Sequence, residues 1–277
     1  MDNTVLQQCY IWWIMVKEVK LYFKYIKMHI FSNLEYKGWW MMCINTAFVV
    51  ITDPIAVVLM FLRFGSVGSW SMEEILLIYC LAVTSFGLAE VFCRGFDSFP
   101  WRMLRSGDFD RLLLRPRSLF TQVSASRFDL HRIPRPITGI IAIIWLLIRM
   151  GVPFSPINII VIILALCGGL LTYSGVFIMT SGIAFFTIKG LDWIYIFTNA
   201  SYQVTKCPVE YMPKVLWGAF TFFMPMLVIS YYPAAFICNW GEPIITGFLA
   251  LPAGFAFLGF SLVLWKIGVR HYKSTGS

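Results

Sequence analysis

Long runs with almost no charge constrain this chain more than any other feature of its sequence. Trp39–Leu62, Glu74–Cys93, Ile157–Ile188 and Pro243–Trp265 each hold about twenty or more mostly apolar residues. At a rise of 1.5 Å per residue, about twenty apolar residues cross a hydrocarbon layer about 30 Å thick. Inside lipid every backbone N–H and C=O must find its partner within the protein, which leaves helices as the fit for runs of this length. The expected fold class is therefore all-α, a polytopic membrane protein. Composition agrees: 59% of residues are hydrophobic and 13% charged, about half the share of roughly 25% that covers a soluble surface. The formal net charge of +8 does not argue for nucleic acid, because basic residues in membrane chains gather on the cytoplasmic side.

Two further stretches complete the count. Ile137–Met150 is short for a span and is read as extending back through the helical-looking Phe120–Arg132. The last third allows two parsings. Either Leu191–Thr205 crosses and Val215–Ile237 dips in and returns, or Leu191–Thr205 is interfacial and Val215–Ile237 crosses despite Pro225 and Pro233. Both give six crossings. With the N-terminus inside, the cytoplasmic segments hold Lys17, Lys20, Lys24, Lys27 and Lys37, nine arginines between Arg94 and Pro136, Lys189, Lys266, Arg270 and Lys273, eighteen in all. The outer segments hold only Arg63, Arg149, Lys206 and Lys214. That bias orients the chain with both termini and the arginine-rich connection in the cytoplasm.

The N-terminal stretch Ile11–Val16 is too short for a cleavable signal and is followed directly by Lys17. From Lys17 to Lys27 the lysines recur at three- and four-residue steps, the pattern of an amphipathic helix lying at the membrane interface. Residues 1–38 are read as that cytoplasmic, interfacial segment and 39–273 as one membrane domain. The seven cysteines are scattered without a C-x-x-C pair; Cys207 and Cys238 can both lie outside the bilayer, which leaves a disulfide between them open. His29, His131 and His271 stand far apart and read as interfacial side chains, not metal ligands.

Catalytic chemistry has little to stand on: no Ser-His-Asp order, no H-E-x-x-H, no paired carboxylates at catalytic spacing. Asp53 and Glu90 are the ionisable groups within the spans. An intramembrane carboxylate is unfavourable by about 2.5–3.5 kcal/mol, which makes both candidates for a transport pathway or gate. The structural alternatives are that Asp53 satisfies groups loosened by Pro54, and that Glu90 pairs with Arg94. Gly168, Gly175 and Gly182 recur every seven residues, a smooth stripe that admits close helix approach within the chain or between subunits. The run Arg105–Ser118 (R-S-G-D-F-D-R-L-L-L-R-P-R-S) reads as a short amphipathic helix that starts near Ser106, Gly107 and Asp108 and stops at Arg115-Pro116. Phe109, Leu112 and Leu113 would form its apolar face. Asp108 and Asp110 near the start and Arg111 and Arg115 near the end suit the helix dipole.

That run resembles the cytoplasmic signature of type-2 ATP-binding-cassette (ABC) exporter permeases, in the subgroup encoded as paired permeases. Tyr36–Leu62 resembles the subgroup's first span. Cys207-Pro-Val-Glu-Tyr-Met-Pro213, Phe223-Met-Pro225 and Tyr231-Tyr-Pro-Ala234 resemble its proline-rich pattern before the last span, with Cys207 where tyrosine is usual. The likeness extends over about Leu21 to Lys273. It implies a coupling helix at Gly107–Arg115, including Leu113, that docks on an ATPase. It also implies an external re-entrant hairpin over residues 208–237, with Pro225 at a gate. None of the ten lysines ends a G-x-x-x-x-G-K-[ST] run, so ATP and Mg would be bound by a separate ATPase subunit, two copies per transporter. A second permease, identical or homologous, would complete the pathway in the cytoplasmic membrane for a hydrophobic or amphipathic cargo such as a drug, peptide or lipid. The rivals are a membrane-embedded enzyme or scaffold, and an ion-coupled secondary transporter.

Overall fold

Ser71 starts the helix around which the others pack. Its hydroxyl accepts from the Glu74 N–H at 3.3 Å, and the Glu74 carboxylate accepts from the Ser71 N–H at 2.8 Å, a reciprocal cap that satisfies two orphan donors. In the computed structural model, which describes residues 3–64, 70–187, 192–204, 212–241 and 243–272, this helix is α3 (Met72–Phe99). It leaves helical geometry once, at Cys93, and continues through a wide turn at Pro100–Leu104. Leu77, Ile78, Leu81, Ala82, Val83, Thr84 and Ser85 are all buried, so apolar and small residues surround α3 on every side. The apolar run Glu74–Cys93 thus understates the element, because its last turns are masked by arginines.

α2 (Trp39–Phe64) runs continuously through Pro54 and lies at the edge, with Phe48, Ile51, Ile55 and Leu59 exposed. Before it, α1 (Asn3–Glu35) turns one face to the body of the protein. The Tyr22 hydroxyl donates to the Phe92 carbonyl at 2.7 Å, and the Asn33 amide donates to the Phe128 carbonyl at 2.9 Å. His29 Nε2 lies 3.1 Å from the Ala125 carbonyl oxygen. These positions recur at helical spacing, and Lys17, Lys20, Lys24 and Lys27 stay exposed on the other side.

The connection after α3 forms α4 (Phe109–Leu113), α5 (Leu119–Ser124) and a single 3-10 turn at Leu130–Arg132. The third apolar run does not extend back through Phe120–Arg132 as the sequence suggested. α6 (Pro134–Arg149) begins at a proline, and the chain between α5 and that turn is irregular. Pro134 and Pro136 lack the N–H groups a preceding helical turn would have to bond, so they suit a helix start. α7 (Pro156–Ala184) follows, then the shorter α8 (Asp192–Val204), α9 (Lys214–Gly218), α10 (Met226–Ile237) and α11 (Ile244–Phe248), and last α12 (Ala250–His271).

Among the described residues five helices are long and apolar enough to cross a membrane, and a sixth span is added if the bent pair Lys214–Phe223 and Met226–Ile237 is counted as one. That pair turns by 99° at Met224-Pro225. Contacts between α7 and α12 set the parity. Gly168 meets Ala250, Gly175 meets Phe257 and Gly182 meets Trp265, so the two helices run parallel. A chain leaving α7 at one face must therefore make one net return before α12 begins. α10 supplies part of it: Ile229 sits beside Gly169, whereas Trp240 just beyond the helix reaches Glu74 at the start of α3. At 13 residues, α8 measures about 20 Å, less than the hydrocarbon thickness. Cys207, Lys189, Lys206 and Ser69 lie outside the described residues; Cys238 is a free thiol.

The glycine stripe faces the chain's own last helix. A Cβ at Gly168 would collide with the Ala250 backbone, and one at Gly182 would come within 3.0 Å of the Trp265 backbone. α12 answers with Gly254 against Gly168 and Gly268 against Gly182. Backbone cannot rotate away as a side chain can. Gly168→Ala should therefore lower stability by about 1–3 kcal/mol, read as a lower thermal melting point in detergent. Gly259→Ala, also in α12 but with open space around it, should be neutral or raise stability by up to about 1 kcal/mol.

Candidate functional site

The arginine-rich end of the bundle holds the first group of candidate residues. Gly107 adopts φ +77°, a conformation that favours glycine, and turns the chain into α4. Asp108 caps the start of the helix without a side-chain bond to its backbone. Its carboxylate instead accepts from the Ser106 hydroxyl at 2.9 Å and from Arg111 Nη1 at 3.3 Å. Those two donors hold the Asp108 carboxyl below the usual carboxylate range, so it stays ionised at neutral pH. Gln122 of α5 ties down the other end, donating to the Arg117 carbonyl at 3.2 Å and reaching the Leu112 carbonyl at 3.5 Å.

The five-residue helix is wedged, not free-standing. Phe109 is fully buried, with ring centroids 5.4 Å from Phe99, 5.3 Å from Phe185 and 4.8 Å from Tyr272. These rings belong to the final turns of α3, α7 and α12, and Trp265 packs between them. Burial and the neighbouring Asp110 carboxylate push the Tyr272 phenol up, and Asp110 ties α4 to the same cluster. Leu112 is buried as well. The apolar face expected to meet a partner through Phe109 and Leu112 is thus covered by the chain itself. What remains outward is Leu113, Leu114 at 86% exposure, Arg111 and Arg115. Leu114 lies within the expected helix but off the apolar face of Phe109, Leu112 and Leu113; Gln122 stands ten residues on from Leu112, across the break at Pro116, and Phe185 and Tyr272 lie far away in sequence.

Glu90 lies deeper in α3 and is 2% exposed. It accepts from Arg94 at 3.0 Å, from Arg132 at 3.1 Å and from Arg135. The pairing with Arg94 was legible as an i, i+4 step; the two arginines more than forty residues away were not. Arg94 also holds Asp97 at 2.7 Å, and the Arg135 guanidinium lies 5.5 Å from the Phe86 ring centre.

Asp53 of α2 accepts from the Tyr79 hydroxyl at 3.2 Å. This partner lies on α3, so Asp53 links α2 to α3 beside Pro54. Tyr202 of α8 stacks on Phe86 at 4.4 Å, beside Arg135, so polar groups continue from the Asp53 level toward Glu90. Asp53 itself is exposed on the outer flank of α2, within the bilayer span. Pro225 lies at the 99° bend and lines a shallow cavity with Ala256, Phe257 and Phe260, about halfway along α12. Among the described residues no group of three His, Cys, Asp or Glu could hold a metal ion.

No curated protein and no solved structure matches the chain. A family model, described as ABC-2 family transporter protein, matches residues 47–276. That stretch takes in both carboxylates, the wedged α4, the bent pair and the parallel α7 and α12. Several membrane-spanning helices and a match over most of the length lead to one assignment: this chain belongs to the ABC-2 family of transporter proteins.

Proposed function

We propose that the chain is the permease subunit of an ATP-driven exporter, non-catalytic itself and driven by two copies of a separate ATPase bound at α4. One observation carries the reading. α4 presents Arg111, Leu113, Leu114 and Arg115 outward while Phe109 is clamped among the ends of α3, α7 and α12. A partner that pushes on the outward side moves a rigid wedge, and packed aromatic rings pass that motion to three long helices at once. ATP binding in the partner supplies the driving energy. The wedge converts it to a change in the tilt of the bundle, and a hydrophobic or amphipathic cargo moves between two permeases to the outside. The arginine-rich end faces the cytoplasm on the strength of the eighteen-to-four charge bias. The bend at Pro225 is the inner tip of the re-entrant segment expected over 208–237, described from residue 212, and its return limb α10 reaches the outer end of α3 through Trp240 and Glu74.

Orientation is tested by labelling in intact cells. A cysteine at position 156 should react with a membrane-impermeant reagent from outside, and one at position 106 only after permeabilisation. The reverse pattern would remove α4 from the cytoplasm and end the coupling assignment.

Two kinds of substitution at α4 should separate. Leu113→Ala with Leu114→Ala removes exposed anchors and should weaken ATPase co-purification, by the roughly 1–4 kcal/mol typical of such anchors. Phe109→Ala leaves the outward surface in place and should retain the ATPase while lowering the transport obtained per ATP hydrolysed. Loss of ATPase binding in Phe109→Ala together with wild-type binding in the leucine pair would invert the assignment of the two faces.

Asp53 serves the pathway in this reading, since a carboxylate on the exposed flank of a span is tolerated where it faces a second subunit or water instead of lipid. Asp53→Asn still accepts a hydrogen bond from Tyr79 and should lower transport with unchanged expression and ATPase binding. Wild-type transport in that variant would leave Asp53 a structural partner of Tyr79 alone.

A further inference from the structure

The ion cluster at Glu90 is short of negative charge. Arg94, Arg132 and Arg135 are set against Glu90 and Asp97, which leaves one positive charge over. The next pair along, Arg127 with Asp129 at 2.8 Å, is already matched and contributes nothing to the deficit. Acceptors are short as well. The Nε atoms of Arg94, Arg132 and Arg135 are buried without a hydrogen-bond partner. Both deficits are unfavourable where water is scarce, and an anion set beside Arg132 and Arg135 would balance the charge left over.

A cavity of about 520 Å³ opens beside this cluster, between the first turns of α2 and the start of α6. His131, Arg132 and Arg135 form one wall, and Tyr36 and Asn45 add polar groups. Met41, Met42 and Val49, exposed on the flank of α2, line its apolar side together with Gly38 and the buried Thr46. The cavity therefore has a cationic end and an apolar mouth. Trp39 and Trp40, the aromatic pair that begins α2, place it at the depth of a membrane interface. Beyond the mouth, Ile44, Phe48 and Ile51 continue an exposed apolar strip along α2 toward the bilayer centre.

We propose that this cavity binds the phosphate headgroup of an anionic phospholipid, with its acyl chains laid along the strip on α2. A soluble anion would use only the cationic end. A zwitterionic lipid would fill the shape without balancing the charge left over at Glu90. The lipid phosphate acts as a third anion of the cluster, joining α2 to α6 where the chain has a cavity between them. This site does not rest on the transport reading, because it is defined on the resting permease without cargo or ATPase.

Native mass spectrometry of the full-length protein, extracted in mild detergent and offered equal phosphatidylglycerol and phosphatidylcholine, tests it. Phosphatidylglycerol should be retained over phosphatidylcholine by about fivefold or more, the factor that roughly one unit of charge contributes at a membrane surface. Asn45→Asp adds a carboxylate of nearly the same shape to the cavity without touching the Glu90 ion pairs. It should bring the two lipids to parity while the melting point in lipid-free detergent stays unchanged. Asn45→Ser should keep the preference. Equal retention of the two lipids by the unmodified protein, or an undiminished preference in Asn45→Asp, would overturn the proposal. Displacement of phosphatidylglycerol by millimolar inorganic phosphate would also overturn it, since the site would then recognise a free anion and not a lipid.

Discussion

Glu90 carries a single negative charge deep in the central helix, and three guanidinium groups converge on it. Arg94 comes from its own helix; Arg132 and Arg135 come from the start of α6 and the turn before it. Breaking one member of such a group leaves a buried charge uncompensated, which is commonly unfavourable by about 3–5 kcal/mol. The pairs act as a fixed pin between α3 and α6. Gly139 of α6 packs on Thr84, and Gly87 of α3 packs on Pro136, so backbones approach closely on the outer side of that pin. Opposite, Gly95 brings α3 against the Val123 and Ser124 carbonyls of α5. One helix thus holds the arginine-rich connection from two sides.

The second half of the molecule is built on parallel contact. α7 lies along α3, with Phe86 edge-on to Tyr173 and Phe177, and the Ser181 hydroxyl donates to the Phe96 carbonyl. α12 lies along α7 through facing glycines. Without a hydrophobic force between helices in lipid, close backbone approach and dispersion between small residues do this work. Three parallel helices then end at the same level, and their last turns supply the aromatic cluster that receives Phe109. A short helix that could not persist alone in water is held there by packing. In the function proposed above, this is where force enters, and the outward leucines and arginines are where the ATPase makes contact.

Much of this was legible in the chain before any coordinates. The apolar runs and their spacing led to helices and spans, and the eighteen-to-four charge bias to the orientation used in the proposed function. The lysine period led to a helix with a solvated side, and Gly107 and Pro116 bracketed α4. Three readings needed revision or refinement. Phe109 and Leu112 have the pattern of a docking face, but amphipathic spacing does not say whether the apolar side meets a partner chain or its own. Phe120–Arg132 has helical composition, yet Pro134 and Pro136 suit a helix start and the preceding chain is irregular. The glycine stripe was compatible with packing inside the chain or between subunits, and Gly254 and Gly268 of α12 answer it from within.

What the sequence determined by itself was set by solvent: twenty apolar residues in a row have one favourable arrangement in lipid, and basic residues have a preferred side. Those preferences are local and additive, so they can be read one segment at a time. What only the tertiary structure decided depended on which segments meet. Arg132 and Arg135 reach Glu90, and Tyr79 reaches Asp53, across gaps of 26 to 45 positions. Phe109 finds Tyr272 from the far end of the chain. Ion pairs and ring contacts between distant segments act over a few ångströms in space, and the order of residues does not say which partner each will meet, so they appear only once the helices are packed.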